Sequence, residues 1–174
     1  MLLSTSPVFA DPLTISLGIP QEHTFSEKNE SGNKIETDGP SGYFLGIKFL
    51  IGFGLGMDSH KIKGDTSGSM ELHTNMYNLF YQLPIPVINL ILGLGTGNQE
   101  YKCDDNGNGL SCSDIYDKGS ATQLYTSLGF PIMPLFDLHI SYRMITSKNM
   151  KVKASEEKID YSGSITGIGI AFNF

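Results

Sequence analysis

The residues from 136 to 145 read FDLHISYRMI, and they alternate strictly between two kinds of side chain. Phe, Leu, Ile, Tyr and Met stand at the even positions, and Asp, His, Ser, Arg and Ile stand at the odd ones. Successive side chains of a β-strand point to opposite faces, so a period of two indicates a strand whose faces meet different surroundings. The stretch therefore predicts a strand with one apolar and one mainly polar face.

The same alternation recurs along the 174-residue chain and predicts eight strands. No stretch shows a convincing helical period of 3.6 residues. The connections between the strands alternate between long and short, as they do in a series of antiparallel hairpins. The predicted strands cover residues 13–19, 43–49, 53–60, 72–83, 87–97, 122–130, 136–145 and 162–174.

Charge is concentrated in four polar stretches, at residues 22–40, 61–69, 99–119 and 146–159, which hold 23 of the 30 charged residues. The formal net charge of −6 leaves no basic footprint for nucleic acid. Apolar runs are interrupted by Gly and Pro well before 18 residues, which excludes a transmembrane helix. The predicted strands are therefore almost uncharged, but none of them belongs to an apolar run long enough to be a transmembrane helix.

Eight antiparallel strands can close into a barrel, which removes exposed sheet edges. A soluble ligand-binding barrel would turn its apolar face inward and cover the outside with charge. The second face here consists instead of Gly, Thr, Ser and Asn with few charges, which suits a narrow lumen. The pattern favours an all-β, up-and-down transmembrane barrel with its apolar side chains facing lipid.

The last strand carries a second indication. The chain ends in Phe174, and alternating apolar or small residues precede it: Thr166, Ile168, Ile170 and Phe172, with Gly169 between them. This ending resembles the sorting signal of bacterial outer-membrane barrels. As a whole, residues 11–174 are similar to the eight-stranded outer-membrane family that includes the OmpA transmembrane domain, OmpX and the opacity-type surface proteins.

The resemblance implies one barrel domain in the outer membrane of a Gram-negative bacterium. Short turns would face the periplasm and the four charged stretches would form loops outside the cell. The implied role is structural or surface interaction through these loops, without enzymatic activity or a cofactor. The implied partners are outer-membrane lipids, lipopolysaccharide, the barrel-insertion machinery acting on the C-terminal strand, and an unidentified loop ligand. The implied state is a monomer.

The N-terminal residues 1–10 read MLLSTSPVFA and precede Asp11. Val8 and Ala10 stand where small residues precede a signal-peptidase cut, so the segment is interpreted as the remnant of an export signal. A disordered N-terminus is the alternative.

Two cysteines, Cys103 and Cys112, flank the third polar stretch and predict a disulfide if the chain is exported. In a cytosolic chain they would remain thiols, and no nearby His or third Cys supports a metal site. Between them, residues 104–109 match the first half of a calcium-binding loop. The twelfth position is Ile115 instead of the expected Glu, which disfavours calcium binding.

Charged residues on the predicted inner face form the candidate site. A lumen network of hydrogen-bonded polar groups is predicted, because charges at membrane depth must satisfy one another. Its predicted members are Lys48, Asp58, Asp137, His139 and Arg143.

Three alternatives remain open. His139 and Ser141 resemble the His-x-Ser pair of an outer-membrane lipid A deacylase, in which His activates a Ser hydroxyl. Against this stand Tyr142, where that family has Asn, and the inward position of the pair, whereas a lipid substrate requires the outer face. A narrow small-solute channel and a soluble lipid-binding barrel are the other two alternatives.

Overall fold

The computed structural model describes residues 12–26, 39–49, 52–63, 70–85, 88–103, 112–133, 135–147, 150–154 and 158–174. The export remnant predicted at residues 1–10 and the calcium-like segment at 104–109 lie outside these residues. The elements in chain order are β1 (Leu13–Phe25), β2 (Ser41–Phe49), β3 (Phe53–Lys63), β4 (Met70–Leu83), β5 (Asn89–Cys103), α1 (Cys112–Ile115), β6 (Gly119–Met133), β7 (Phe136–Thr146), β8 (Met150–Lys151), β9 (Lys158–Ile159) and β10 (Gly163–Asn173).

Eight of the strands form a closed barrel in the order β1-β10-β7-β6-β5-β4-β3-β2. Every neighbouring pair in it is antiparallel. The first and last strands close the ring, and there the amide of Phe174 donates to the carbonyl of Leu13 at 2.9 Å. Closure leaves no sheet edge, as an all-β fold in lipid requires. The predicted eight-stranded antiparallel barrel is confirmed.

We call the barrel end with the long connections the loop end and the opposite end the turn end. Several strands continue towards the loop end beyond their predicted limits, and β5 extends to Cys103 and β1 to Phe25. The sequence pattern hides these extensions, because the outward residues near the loop end are polar, unlike the apolar outward residues that define the predicted strands. At the other end of β5, the strand begins at Asn89 instead of the predicted residue 87.

A β-bulge in β1 explains part of the missed extension. The pairing of β1 with β10 shifts between Pro20 and Glu22. Pro20 is buried, Gln21 and Glu22 are both exposed, and His23 is buried again. Proline donates no backbone hydrogen bond and is tolerated within a sheet at such irregularities. The bulge therefore breaks the period of two just beyond residue 19, where the predicted strand stops.

The outer face of the barrel is a continuous apolar band. Four leucines that are direct neighbours in register on β3–β6 illustrate it: Leu55, Leu79, Leu94 and Leu124 are 57%, 56%, 67% and 51% exposed. Within the described residues, no helix is long and apolar enough to span a membrane.

Candidate functional site

The centre of the lumen holds a buried ion pair. Arg143 of β7 donates from Nε to Oδ2 of Asp58 on β3 at 3.0 Å, and the two side chains are 6% and 1% exposed as residues. Two amides complete the carboxylate's surroundings: Asn78 Nδ2 and Gln123 Nε2 donate to the same oxygen at 2.9 and 2.6 Å. Gln123 also donates to Asn78 Oδ1 at 2.9 Å. We call these four residues the central cluster.

Arg143 is held from other sides as well. Its guanidinium lies over the Phe44 ring, 3.5 Å from the centroid, and 5.1 Å from that of Tyr125. It also donates to the hydroxyl of Ser141, and that hydroxyl donates in turn to the carbonyl oxygen of Gly167 at 3.3 Å. Cation–π stacking and hydrogen bonds together offset the cost of burying the charge.

A second polar cluster lies near the turn end. Asp137 Oδ2 accepts from Asn89 Nδ2 at 2.5 Å and from Asn173 Nδ2 at 3.1 Å, and Thr14 donates to Asn173 Oδ1 at 2.8 Å. His139 Nε2 lies 3.9 Å from the same Asp137 oxygen. These contacts connect β1, β5, β7 and β10 across the interior, so the turn end is crossed by hydrogen bonds.

A cavity of about 50 Å³ adjoins both clusters. Its charged and polar lining includes Asp58, Arg143 and His139, and small residues of β1 and β2, such as Gly18 and Gly46, leave the space open. A water molecule needs roughly 10–15 Å³ by this kind of measure, so the cavity can hold a few waters and no acyl chain.

An apolar layer covers the central cluster on the side of the loop end. Each of its residues points inward and lies two positions closer to the loop end than a residue of the central cluster or an inward neighbour of that cluster. The five residues are at most 4% exposed: Phe44, Met76, Ala121, Ile145 and Ile165. Ile62, Leu72 and Met150 are buried nearer the loops, at 2%, 3% and 0% exposed. These side chains narrow the lumen at this level with apolar surface.

The third and fourth long connections are joined above this layer, and we call their joined part the loop platform (residues 112–118 and 150–153). Tyr116 forms a β-bridge with Val152, and the amides of Asp117 and Lys153 donate to the carbonyls of Lys151 and Ile115 at 2.9 and 2.8 Å. The strands β8 and β9 pair as a small hairpin in the fourth connection.

The predicted disulfide between Cys103 and Cys112 is present, with the Cα atoms 5.4 Å apart. It fastens the end of β5 to the start of α1, and α1 leads directly to Tyr116. The bridge therefore anchors the loop platform to the barrel wall.

Replacing both cysteines in the variant Cys103→Ser/Cys112→Ser should loosen the platform while the barrel stays folded. A crosslink closing a loop of this size stabilises the closed form by roughly 2–3 kcal/mol. We expect tryptic cleavage within residues 99–119 to accelerate roughly tenfold or more, because local opening becomes easier. Reducing the wild type should reproduce the effect and leave the variant unchanged. Equal cleavage rates would contradict this role.

Charged side chains line the outer face at the loop end of β3–β6, and we call them the charged rim: Lys61, Lys63, Glu71, His73, Glu100, Lys102 and Lys118. Glu71 contacts Lys61 and Lys63 at 3.0 and 3.7 Å. Glu100 contacts Lys118 and Lys102 at 2.6 and 3.9 Å.

The two rim carboxylates are held in their charged forms. The hydrogen bond from Lys61 is the largest cause that lowers the pKa of Glu71 below its usual value. The hydrogen bond from Lys118 acts in the same way on the pKa of Glu100. Both groups are therefore anionic at neutral pH, and the ion pairs lose their contribution as the pH falls through these lowered pKa values.

The structure distributes the predicted lumen residues over the two clusters. Asp58 and Arg143 form the central pair. Asp137 and His139 lie in the turn-end cluster, and Lys48, Asp137 and His139 line one small cavity there. All five side chains are buried.

His139 and Ser141 lack the geometry that a hydrolytic His–Ser pair requires. The hydroxyl of Ser141 is hydrogen-bonded to Arg143 and to the carbonyl of Gly167, whereas the Nδ1 of His139 lies 3.2 Å from the hydroxyl of Ser127. Both residues face the lumen and are at most 8% exposed. A lipid has no access to them.

The C-terminal motif lies on β10. Thr166, Ile168, Ile170 and Phe172 face outward, Gly169 faces the lumen, and Phe174 is 62% exposed at the turn end. Its use as an insertion signal stays a prediction.

Sequence reasoning missed Asn78 and Gln123, which complete the site around Asp58. The sequence did contain a signal for them. Both residues stand at inward-facing positions of predicted strands, where burying an amide without hydrogen-bond partners costs free energy. Among the described residues, no group of three or more His, Cys, Asp or Glu could hold a metal ion.

A closed eight-stranded antiparallel barrel with an apolar outer face and a polar, filled lumen is the fold of the small outer-membrane β-barrels. Solved structures with this fold match almost the whole chain. The crystal structure of Neisserial surface protein A has a TM-score of 0.68 at 14% identity, covering 94% of this chain and 97% of that one.

Two further structures agree. The N-terminal barrel domain of Pseudomonas aeruginosa OprF has a TM-score of 0.56 at 11% identity, covering 94% of this chain and 98% of that one. Ail of Yersinia pestis, crystallised with the heparin analogue sucrose octasulfate, has a TM-score of 0.52 at 18% identity, covering 93% and 97%. At these identities the likeness establishes the fold. No family model and no curated protein matches the chain.

Proposed function

We propose that the protein is an integral barrel of a Gram-negative outer membrane, with its loop end outside the cell and a structural or surface-interaction role. One observation carries the membrane assignment: the outward band is apolar around the barrel, and the four leucines in register on β3–β6 are more than half exposed. Monomeric soluble proteins rarely expose apolar area of this extent, whereas a barrel in lipid requires it.

The loops supply the surface role in this proposal. The loop platform is held by a β-bridge, main-chain hydrogen bonds and a disulfide, so it presents a defined surface to a partner. A disulfide at this end also suits an oxidising, extracytoplasmic surrounding. The partner of the loops has no chemical signature among the described residues. We propose that the protein acts as a monomer and that its C-terminal strand is read by the insertion machinery.

Membrane fractionation tests the proposal. We expect the protein in the outer-membrane fraction, where it should require detergent for extraction. Unheated samples should migrate differently from heated ones on SDS gels, because a closed barrel resists unfolding by SDS. Recovery in a soluble fraction without detergent would overturn the assignment and favour a soluble lipid-binding barrel.

A separate measurement tests the channel alternative. Buried side chains of the central cluster and of the apolar layer occupy the lumen, so we expect the purified protein to show no steady conductance in planar bilayers. A steady open pore would show that this layer moves aside in the membrane and would favour the channel.

A further inference from the structure

The two halves of the barrel differ in charge on their outer faces near the loop end. The charged rim belongs to β3–β6 and the residue leading into β6. In contrast, the described outward residues of β1, β2, β7 and β10 include no Lys or Arg. Their polar outward residues at this end are mostly uncharged: Gln21, Thr24, Ser41, Thr146 and Ser164, with Glu22 as the exception.

Along the β3–β6 wall, the outward side chains also change in a fixed order from the apolar band towards the loop end. The row of four leucines comes first. Two positions further towards the loops, the outward residues are Met57, Tyr77, Thr96 and Thr122, and the next row holds only hydroxyls and amides: Ser59, Asn75, Asn98 and Ser120. The charged rim follows, with Lys61 paired to His73 and His73 to Glu100 in register.

The rim carries excess positive charge. Among the described residues of this wall, two carboxylates, Glu71 and Glu100, face four lysines, so the described rim has two more positive than negative charges. Lys63 and Lys102 are 60% and 58% exposed, and their contacts with the carboxylates are the long ones, at 3.7 and 3.9 Å. Both ammonium groups can therefore bind an external anion while the carboxylates keep them in place.

The spacing indicates the size of the anionic lipid. Four residues separate Met57, in the last row with apolar outward side chains, from Lys61, which is roughly 13 Å along a strand. A tilt of about 40° reduces this to roughly 10 Å along the membrane normal. A glycerophospholipid phosphate lies close above its acyl chains, whereas sugars extend a phosphorylated glycolipid over such a distance. The intermediate row of hydroxyls and amides offers the donors and acceptors that sugars require.

We propose that the β3–β6 wall binds a phosphorylated glycolipid of the outer leaflet, of the lipopolysaccharide kind. Its acyl chains lie on the leucine row, its sugars on the row of Ser59, Asn75, Asn98 and Ser120, and its phosphates on the rim lysines. This inference rests on the proposed function, because it requires the barrel in the membrane with its loop end outside.

Photocrosslinking measures this sidedness. A benzoylphenylalanine is placed at Asn98 on the proposed wall or at Ser164 on the opposite half. Each protein is folded into phosphatidylcholine vesicles that contain either lipopolysaccharide or phosphatidylglycerol, and insertion is confirmed first by the heat-dependent shift on gels. With lipopolysaccharide we expect several-fold more lipid adduct at Asn98 than at Ser164. With phosphatidylglycerol we expect no such preference.

A lysine variant tests the charge. Lys63→Gln/Lys102→Gln should reduce the lipopolysaccharide adduct at Asn98 roughly tenfold, since each basic residue near an anionic surface contributes substantially to binding. The control Lys151→Gln/Lys153→Gln removes the same charge from the loop platform and should leave the adduct unchanged.

Equal adducts at Asn98 and Ser164, equal labelling by phosphatidylglycerol, or insensitivity to the rim lysines would each overturn the inference. Failure to insert into either vesicle would instead count against the proposed function.

Discussion

Replacing Asp58 with alanine should lower the free energy of unfolding of the barrel by about 3–5 kcal/mol, because it leaves Arg143 charged and unpaired in the lumen. Asp58 is 1% exposed and accepts from Arg143, Asn78 and Gln123 through one oxygen. The variant removes the anion and the acceptor of two amides together. Since the chain contains no Trp, unfolding by urea is best followed by the heat-dependent gel shift and by circular dichroism.

Two companion variants separate charge from hydrogen bonding. Asp58→Asn keeps an acceptor oxygen but loses the charge, and we expect it to be destabilised less than Asp58→Ala. Asp58→Ala/Arg143→Met removes both charges and should recover a large part of the loss, as replacements of buried ion pairs by apolar residues do. A loss below about 1 kcal/mol in Asp58→Ala, or a double variant that is only additive, would contradict the central role of the pair.

The eight strands could be predicted because the outer face and the lumen of the barrel impose opposite demands on alternate residues. In β7 the contrast is complete, since Phe136 to Met144 at even positions face outward and Asp137 to Arg143 at odd positions face inward. The contrast fades above the apolar band, where Lys61 and Glu71 face outward and Ile62 and Leu72 face inward. The alternation there is inverted, so these ends of β3 and β4 were missed although their period of two is intact.

The partners of the lumen residues could be predicted only in part. Alternation places Asp58, Arg143 and Asp137 inside, but it does not give their height along the barrel, which depends on the register between strands and on the stagger of the closed ring. The joining of Tyr116 to Val152 depends on the meeting of two loops that are distant in sequence. Surface loops of this kind leave no periodic signal.

Glycine shows how a narrow lumen accommodates large side chains. A Cβ atom on Gly93 would overlap with the ring of Tyr125, its cross-strand neighbour on β6. A Cβ on Gly54 would likewise overlap with the ring of Phe80. Each aromatic ring therefore occupies the space that the facing glycine leaves free, and packing is what requires these two glycines.

Gly93→Val should destabilise the barrel by about 3 kcal/mol, the upper part of the range for overpacked interiors, because the added atoms force Tyr125 from its place. Tyr125 is 7% exposed and contacts the Phe80 ring edge-to-face, with the centroids 6.4 Å apart. The displacement would therefore spread to its neighbours. The measurement is urea unfolding of the folded protein in detergent, together with the fraction of protein that folds at all.

The compensating variant decides whether the ring is the cause. Gly93→Val/Tyr125→Leu removes the atoms that collide and should recover much of the stability that the single variant loses. Gly39→Val is the matched control, since no atom of the described residues lies within 4 Å of a Cβ built there, and it should change stability by less than about 0.5 kcal/mol. If Gly93→Val folds as stably as Gly39→Val, the lumen has free space beside Tyr125. Packing against the Tyr125 ring would then not be the reason for glycine at position 93.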